Sequence, residues 1–374
     1  MILPGKTIGM LGGGQLGRMT AQAARSLGYN FVVFEPSPNC PASQVADQQI
    51  TADYTDIDAL LSLGKASDVI SYEFENVSTD ALDKLAEVVP LYPNTKALHI
   101  CQNREREKAF LKENDFPHAP FEIVNDPESL SKALKTIGAP CVLKTASFGY
   151  DGKGQQKIDS LDADVNAIWK AFDGKRAVLE GWIEFDIEVS VMVSVGSNGE
   201  SKIFPVSENI HTNHILDLSI VPARIDKEIR SRAESLACEV AQKLGIIGLL
   251  GVELFVLKNG EIVINELAPR PHNSGHYTLD GCATNQFEQF VRAICGLPLG
   301  STELIEPIVM VNILGDSWEN GDPNFAAILE HPKAKLHLYG KSGPQKGRKM
   351  GHFTVSGKTV EEAFEGARYL KNAL

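Results

Sequence analysis

No stretch of this 374-residue chain is apolar for long enough to cross a bilayer. The most apolar run, residues 244–252, is nine residues long and holds three glycines. Cysteine is sparse and scattered. Cys40, Cys101, Cys141, Cys238, Cys282 and Cys295 form no CxxC pair and alternate with no histidines at zinc spacing. Free thiols in a reducing compartment are expected, and a cysteine-based zinc site is excluded. The start, MILPGKTIGMLGGGQLGRM, is broken by glycines before an apolar export signal can form, so a cytoplasmic location is expected. Basic residues are in deficit: 36 Lys and Arg against 48 Asp and Glu leave a net charge of −12. Such a chain repels phosphate backbones and anionic lipid, which argues against nucleic-acid and membrane partners. There is no internal repeat, no low-complexity tract and no GxxxxGK[ST] phosphate loop. What remains is ordinary: 43% hydrophobic and 22% charged residues, enough for two or three cores.

The first hundred residues alternate strand and helix signals. Strands are expected at residues 7–11, 31–34 and 69–72, and helices at 15–27 and 80–88. That pattern implies a parallel sheet covered by helices. Two prolines and an asparagine at 90–95 mark a boundary. Beyond it come a charged helix at 104–114 and strands at 141–145, 178–183 and 188–195. A polar, irregular stretch is expected at 207–220, then a long helix at 227–244. From about residue 297 the chain reads as short strands and turns, a small C-terminal piece.

Three segments carry chemistry. Gly12-Gly13-Gly14-Gln15-Leu16-Gly17 fits GxGxxG between a strand and a helix, and Glu35 ends the next strand. Glycines there admit a pyrophosphate to a helix N-terminus while an acid holds a ribose, so a dinucleotide site is one reading and a bare tight turn the other. The second segment is the hairpin pattern at 251–267. A two-residue Asn259-Gly260 turn would pair Phe255 with Ile264 and set Glu253 directly across from Glu266. Both acids would share a face with Phe255, Leu257, Ile262 and Ile264. Like charges facing each other are destabilising unless a cation joins them, and carboxylate oxygens suit Mg²⁺. Third, Lys144 lies inside an apolar strand, followed by Gly149, Tyr150, Asp151, Gly152, Lys153, Gly154 and Gln155. Such a loop can cradle phosphates with backbone N–H groups, or be a mobile hairpin tip.

Together with GGGQLGRM, YEFENV (72–77), Glu180, Gly181, Trp182, Ile183, Glu188 and NELAPRPHNSGH (265–276), these motifs resemble the ATP-grasp superfamily. Within it they are similar to the ATP-dependent carboxylases of purine biosynthesis, over essentially the whole chain. The resemblance implies a mixed α/β and α+β molecule. A Rossmann-like domain at 1–100 would bind the acceptor. An ATP-grasp domain would span 101–297, with a lid at about 118–182, and a small C-terminal domain 298–374. It implies ATP, Mg²⁺, bicarbonate and 5-aminoimidazole ribonucleotide as ligands, and a homodimer. Arg104 and Lys144 would reach phosphates beneath the loop 149–155. Residues 180–183 would read adenine, Glu188 the ribose, and His211 and Asn265 would also face the nucleotide. Glu253 and Glu266 would hold the metal. The asparagine that many superfamily members carry two residues after the second glutamate is Ala268 here. Arg270, His272 and Asn273 suit a bicarbonate pocket, although Arg270 could instead bridge to Glu253 or Glu266. His214 and His276 read as structural or solvated. Gln15 and Leu16 would meet the acceptor through the helix N-terminus, with Glu73 and Glu75 as acids for its ribose. Asp151, Lys341 and Arg348 would complete the acceptor site, the last two as a phosphate clamp, whereas Lys346 and Lys349 have no such support. A formate-dependent transformylase of the same superfamily is the nearest rival, and a NAD-dependent oxidoreductase a more distant one.

Overall fold

The computed structural model describes residues 1–147 and 154–374. Four parallel strands, β1 (Thr7–Leu11), β2 (Asn30–Phe34), β3 (Gln48–Ile50) and β4 (Val69–Tyr72), form the first sheet in the order β3-β2-β1-β4. The sequence pattern locates β1, β2 and β4. It misses β3, whose three residues QQI give almost no apolar signal. Helix Gln15–Ser26 leaves β1 through the glycines and buries Met19, Ala21 and Ala24. Its first turn holds no acid and Gly14 supplies no side-chain cap, so its N–H groups need partners from elsewhere.

A second, antiparallel sheet holds β5 (Phe121–Val124), β6 (Cys141–Thr145), β7 (Gln155–Ile158) and β8 (Ala177–Gly181) in the order β5-β8-β6-β7. It has its own apolar core, including Leu130, Leu134, Leu143 and Leu179. β8 stops at Gly181, so Trp182 and Ile183 lie just beyond the strand that was expected to include them.

The third sheet contains β9 (Ile187–Val195), β10 (Ser201–Ile203), β11 (Ser207–Thr212), β12 (Ile215–Val221), β13 (Gly248–Val256), β14 (Ile262–Ala268), β15 (Ile308–Leu314), β16 (Ala334–Leu338) and β17 (Lys349–Ser356). The order is β14-β13-β9-β11-β12-β15-β17-β16, with β10 beside β9. One expectation fails here. Residues 207–220 are not irregular. They form a hairpin whose turn residues Asn213 and His214 both have positive φ, as the favoured two-residue turn requires. Its polar side chains point inward, where Ser190, Ser207, Asn209 and Ser219 satisfy one another and mask the apolar period. The C-terminal piece adds its strands to this sheet. β15 pairs with β12 in the same sheet, although Val311, Phe353, Ala367 and Leu370 make a local core.

The β13–β14 hairpin brings Glu253 opposite Glu266 as expected, by a different route. Gly260 sits at φ +81 and its N–H bonds to the Leu257 carbonyl, making the loop one residue longer than a two-residue turn. Phe255 therefore opposes Val263, and Val256 opposes Ile262. A bulge that leaves Asn265 unpaired then restores the register at the two glutamates. Ile262 and Ile264 consequently enter the core instead of sharing the acidic face.

Candidate active site

The three sheets enclose one cavity of about 950 Å³. Its walls include Gln15, Leu16, Glu73, Arg104, Lys144, Gln155, Glu180, Gly181, Trp182, Ile183, Glu188, His211, Glu253, Asn265, Glu266, Arg270, His272, Asn273 and Lys341. Sequence reasoning had singled out each of them. The loop residues Gly149, Tyr150, Asp151, Gly152 and Lys153 lie outside the described residues. Gly154 is described, at φ +71 beside Thr145, and is not part of the wall.

The paired acids remain in electrostatic conflict. Burial, then Glu266 and Glu188, push the Glu253 carboxyl up to about 8. Asn265 Nδ2 donates to its Oε2 at 3.3 Å, and His272 Nε2 lies 3.5 Å from its Oε1. Arg104 Nη2 stands 3.7 Å from Glu266 Oε2. A hard divalent cation fits two facing carboxylates of this kind. Among the described residues no cluster of three or more His, Cys, Asp and Glu surrounds the point, and buried Ala268 offers no ligand. Such an ion would draw its other oxygens from water or a bound phosphate.

Lys144 Nζ donates to Glu180 Oε2 at 3.1 Å, and buried Lys108 lies 3.6 Å from the same oxygen. Burial opposes the Glu180 charge, but the two lysines overcome it and hold its pKa at about 2. His211 Nδ1 is 3.2 Å from Glu188 Oε2; burial disfavours its charge, yet Glu188 raises its pKa overall. His272 is kept neutral by burial, and further by Arg270 and Lys349. Its Nδ1 accepts from Ser274 N–H, which leaves Nε2 as the protonated nitrogen facing Glu253. Asn273 exchanges two amide hydrogen bonds with Asn312, at 3.1 and 2.8 Å. Arg270 does not bridge to either of the two facing glutamates. Its Nε donates to Glu75 Oε1 at 2.7 Å, so Glu75 orients the guanidinium.

The glycine turn is corrected most. Glu73, at the end of β4, accepts from the N–H groups of Gly14 and Gly17, the latter at 2.7 Å. Glu35 accepts from Gly13 N–H at 3.0 Å and from the Tyr54 hydroxyl at 2.8 Å. A Cβ on Gly12 would come within 2.3 Å of Glu73, and one on Gly13 within 2.3 Å of Cys40. The protein's own carboxylates thus fill the place a dinucleotide pyrophosphate would need. Glu73 takes the Gly14 and Gly17 N–H groups of the helix end, while Gln15 and Leu16 line the cavity.

Lys341 Nζ donates to Gln15 Oε1 and to the Lys349 carbonyl, tying the C-terminal segment to the first helix. Arg348 donates to the Ser342 and Gly343 carbonyls at 2.8 and 3.1 Å and is not among the residues that line the cavity. The cavity wall uses Lys349 instead, and also Asn213, His214, Phe185 and Phe255. Phe185 stacks on Phe255 with centroids 4.4 Å apart and planes 7° apart. Half-exposed aromatics around Trp182 were a usable signal in the sequence; the inward reach of Lys349 was not. His276 is fully buried against Gln286, the structural role expected of it.

This architecture and its facing carboxylates define an ATP-grasp enzyme. The ATP-grasp domain family matches residues 109–287, the ribonucleotide synthetase preATP-grasp domain residues 5–102, and the phosphoribosylaminoimidazole carboxylase C-terminal domain residues 308–365. The chain belongs to the N5-carboxyaminoimidazole ribonucleotide synthase family, the ATP-grasp ligases of purine biosynthesis. It is 46% identical to the N5-carboxyaminoimidazole ribonucleotide synthase of Bacillus subtilis strain 168, over 97% of this chain and 94% of that protein. A solved ADP complex of an N5-carboxyaminoimidazole ribonucleotide synthetase superposes with TM-score 0.94 at 46% identity, covering 99% of this chain and 97% of the other. The Aspergillus clavatus enzyme, solved with ADP and 5-aminoimidazole ribonucleotide, gives TM-score 0.90 at 33% identity, covering 98% of both chains.

Proposed function

We propose that this cavity couples ATP cleavage to carboxylation of the exocyclic amine of 5-aminoimidazole ribonucleotide. A bicarbonate oxygen attacks the γ-phosphorus, ADP departs, and carboxyphosphate forms. The amine nitrogen then bonds to the carboxyl carbon as the C–O bond to phosphate breaks, directly or through released CO₂, and the departing phosphate takes up the amine proton. The carrying observation is that one cavity joins the Glu253–Glu266 pair, the Arg104 and Lys144 cations, Arg270 with His272, and the Gln15–Lys341 contact.

Arg104 and Lys144 neutralise ATP phosphates; Lys144 leaves or shares Glu180 to do so. The segment Glu180 to Ile183, with Phe185 on Phe255, forms a flat apolar slot suited to adenine. Glu188, His211 and Asn265 line the sugar and phosphate side. The glycine-rich sequence 149–155 is the candidate for contacts to the ATP phosphates through backbone N–H groups. Glu253 and Glu266 hold Mg²⁺, which when bound supplies charge to the transferring phosphoryl group. Arg270, oriented by Glu75, grips bicarbonate as a planar fork. Neutral His272 offers its Nε2–H, and Asn273 keeps one N–H and one lone pair beyond its pairing with Asn312. On the acceptor side, Lys341 provides the phosphate charge, with Gln15, Leu16 and Asp151 around the base and ribose. Glu73 retains lone pairs for a ribose hydroxyl. Arg348 acts through the shape of its loop. The enzyme works as a homodimer in the cytoplasm.

The test is ADP release on adding 5-aminoimidazole ribonucleotide, with and without bicarbonate. Acceptor-dependent release that requires bicarbonate supports the reading. Release sustained by formate in its place would move the chain to the transformylase chemistry.

A further inference from the structure

Two almost completely buried charged side chains, outside the cavity lining, have no part in the chemistry above. Glu107 and Lys108 are 2% and 1% exposed, on helix Arg104–Glu113. Charges are seldom buried this completely unless each has a partner that uses it. Both partners are backbone groups of one strand. Glu107 Oε2 accepts from Leu267 N–H at 3.0 Å, and Lys108 Nζ donates to the Asn265 carbonyl at 2.9 Å. Asn265 and Leu267 flank Glu266. β14 is an edge strand, paired only with β13 inside its sheet, so its outer N–H and C=O groups would otherwise lack partners. Its outer edge is met by the Pro117 carbonyl at Ile264 N–H, before the bulge. After the bulge the outward groups belong to Asn265 and Leu267, where the two charged side chains take over. Arg104, three and four residues earlier on the same helix face, reaches Glu266 itself.

We infer that Glu107 and Lys108 are positioning residues that grip the β14 backbone on both sides of Glu266 and aim its carboxylate across the ladder at Glu253. Neither lines the cavity. Lys108 has a second task, since it stands beside Glu180. Glu107 has none, which makes it the cleaner probe. The inference rests on the reading of Glu253 and Glu266 as the metal pair.

The test compares Glu107→Met, which keeps length and loses the acceptor, with Glu107→Gln, which keeps an oxygen for Leu267 N–H. Mn²⁺ binding in the presence of ADP is read by electron paramagnetic resonance, alongside the Mg²⁺ dependence of ADP release. Glu107→Met should weaken Mn²⁺ binding and raise the half-activating Mg²⁺ concentration, each about tenfold. Metal-free ADP affinity should move less than about twofold, and Glu107→Gln should recover most of the loss. Unchanged metal affinity in Glu107→Met, or Glu107→Gln as damaged as Glu107→Met, overturns the inference. If Glu107→Met does not fold, Lys108→Met, which loses the donor to Asn265, is held to the same metal criterion. Glu266→Gln separates the two levels. If it too leaves metal binding intact, the metal reading fails; if it alone abolishes binding, only the positioning role fails.

Discussion

Glu253→Gln tests the charge conflict directly, because it removes a proton equilibrium while keeping the side chain's shape. In the folded protein the Glu253 carboxyl lies at about 8 against an ordinary value of 4.5. Burial is the first cause and the facing Glu266 the second. A group raised on folding contributes its stability below 4.5 and loses it as pH climbs toward 8. At about 1.4 kcal/mol per pKa unit, the metal-free protein at pH 7 loses roughly 3 kcal/mol relative to acid conditions through this group. Glutamine has no such dependence and still offers an oxygen to Asn265 Nδ2. The metal-free variant should therefore be more stable than the wild type by on the order of 2–3 kcal/mol at pH 7, with the gap closing below pH 5. Urea unfolding of both proteins across pH 4.5–8.5, in chelator, reads this difference; groups remote from Glu253 cancel between them, while Glu188, Glu266 and His211, which interact with it, belong to the difference measured. Turnover should meanwhile fall by several orders of magnitude. Parallel pH profiles, or a variant less stable at pH 8, would refute the electrostatic account of the pair.

Glu180 carries the opposite sign. Its pKa of about 2 means stability present above 4.5 and lost as pH falls toward 2, and Glu180→Gln should flatten that acid limb in the same titration. Lys144→Met should raise the KM for ATP at least tenfold and leave acceptor affinity within about twofold, as initial rates against each substrate would reveal. Arg270→Gln should abolish bicarbonate-dependent ADP release, whereas Glu75→Gln, which only loosens the guanidinium, should mainly raise the bicarbonate requirement. Lys341→Ala should raise the acceptor KM by about one power of ten, since a charge-assisted hydrogen bond is worth about 1.5–3 kcal/mol. Arg348→Ala, whose guanidinium is held by its own loop's carbonyls, should do less; a larger effect at Arg348 would show that the guanidinium is released to the acceptor when it binds.

What the sequence alone determined was local. Strands and helices with clear periods, such as β1, β4, β6 and helix Lys227–Leu244, are readable because each residue's face follows from its neighbours. The facing glutamates were legible because a hairpin's register is set within a few residues of its turn. Even there the correct pairing came from two shifts of one residue, the longer turn and the bulge at Asn265, that cancel. Motif resemblance carried the ATP-grasp assignment and most of the cavity wall. The tertiary structure decided the partners of the charged groups. Glu73 caps a helix 56 residues away, Arg270 meets Glu75 across 195 residues, and Lys341 reaches Gln15 across 326. No period or propensity links positions so far apart. The β11–β12 hairpin escaped notice because its polar side chains satisfy one another inside, where the alternation rule looks for apolar ones. Glu107 and Lys108 look like a solvated helix face in the sequence. Only the packing of that helix against an edge strand turns them inward, because buried backbone groups must find partners and these two side chains are within reach.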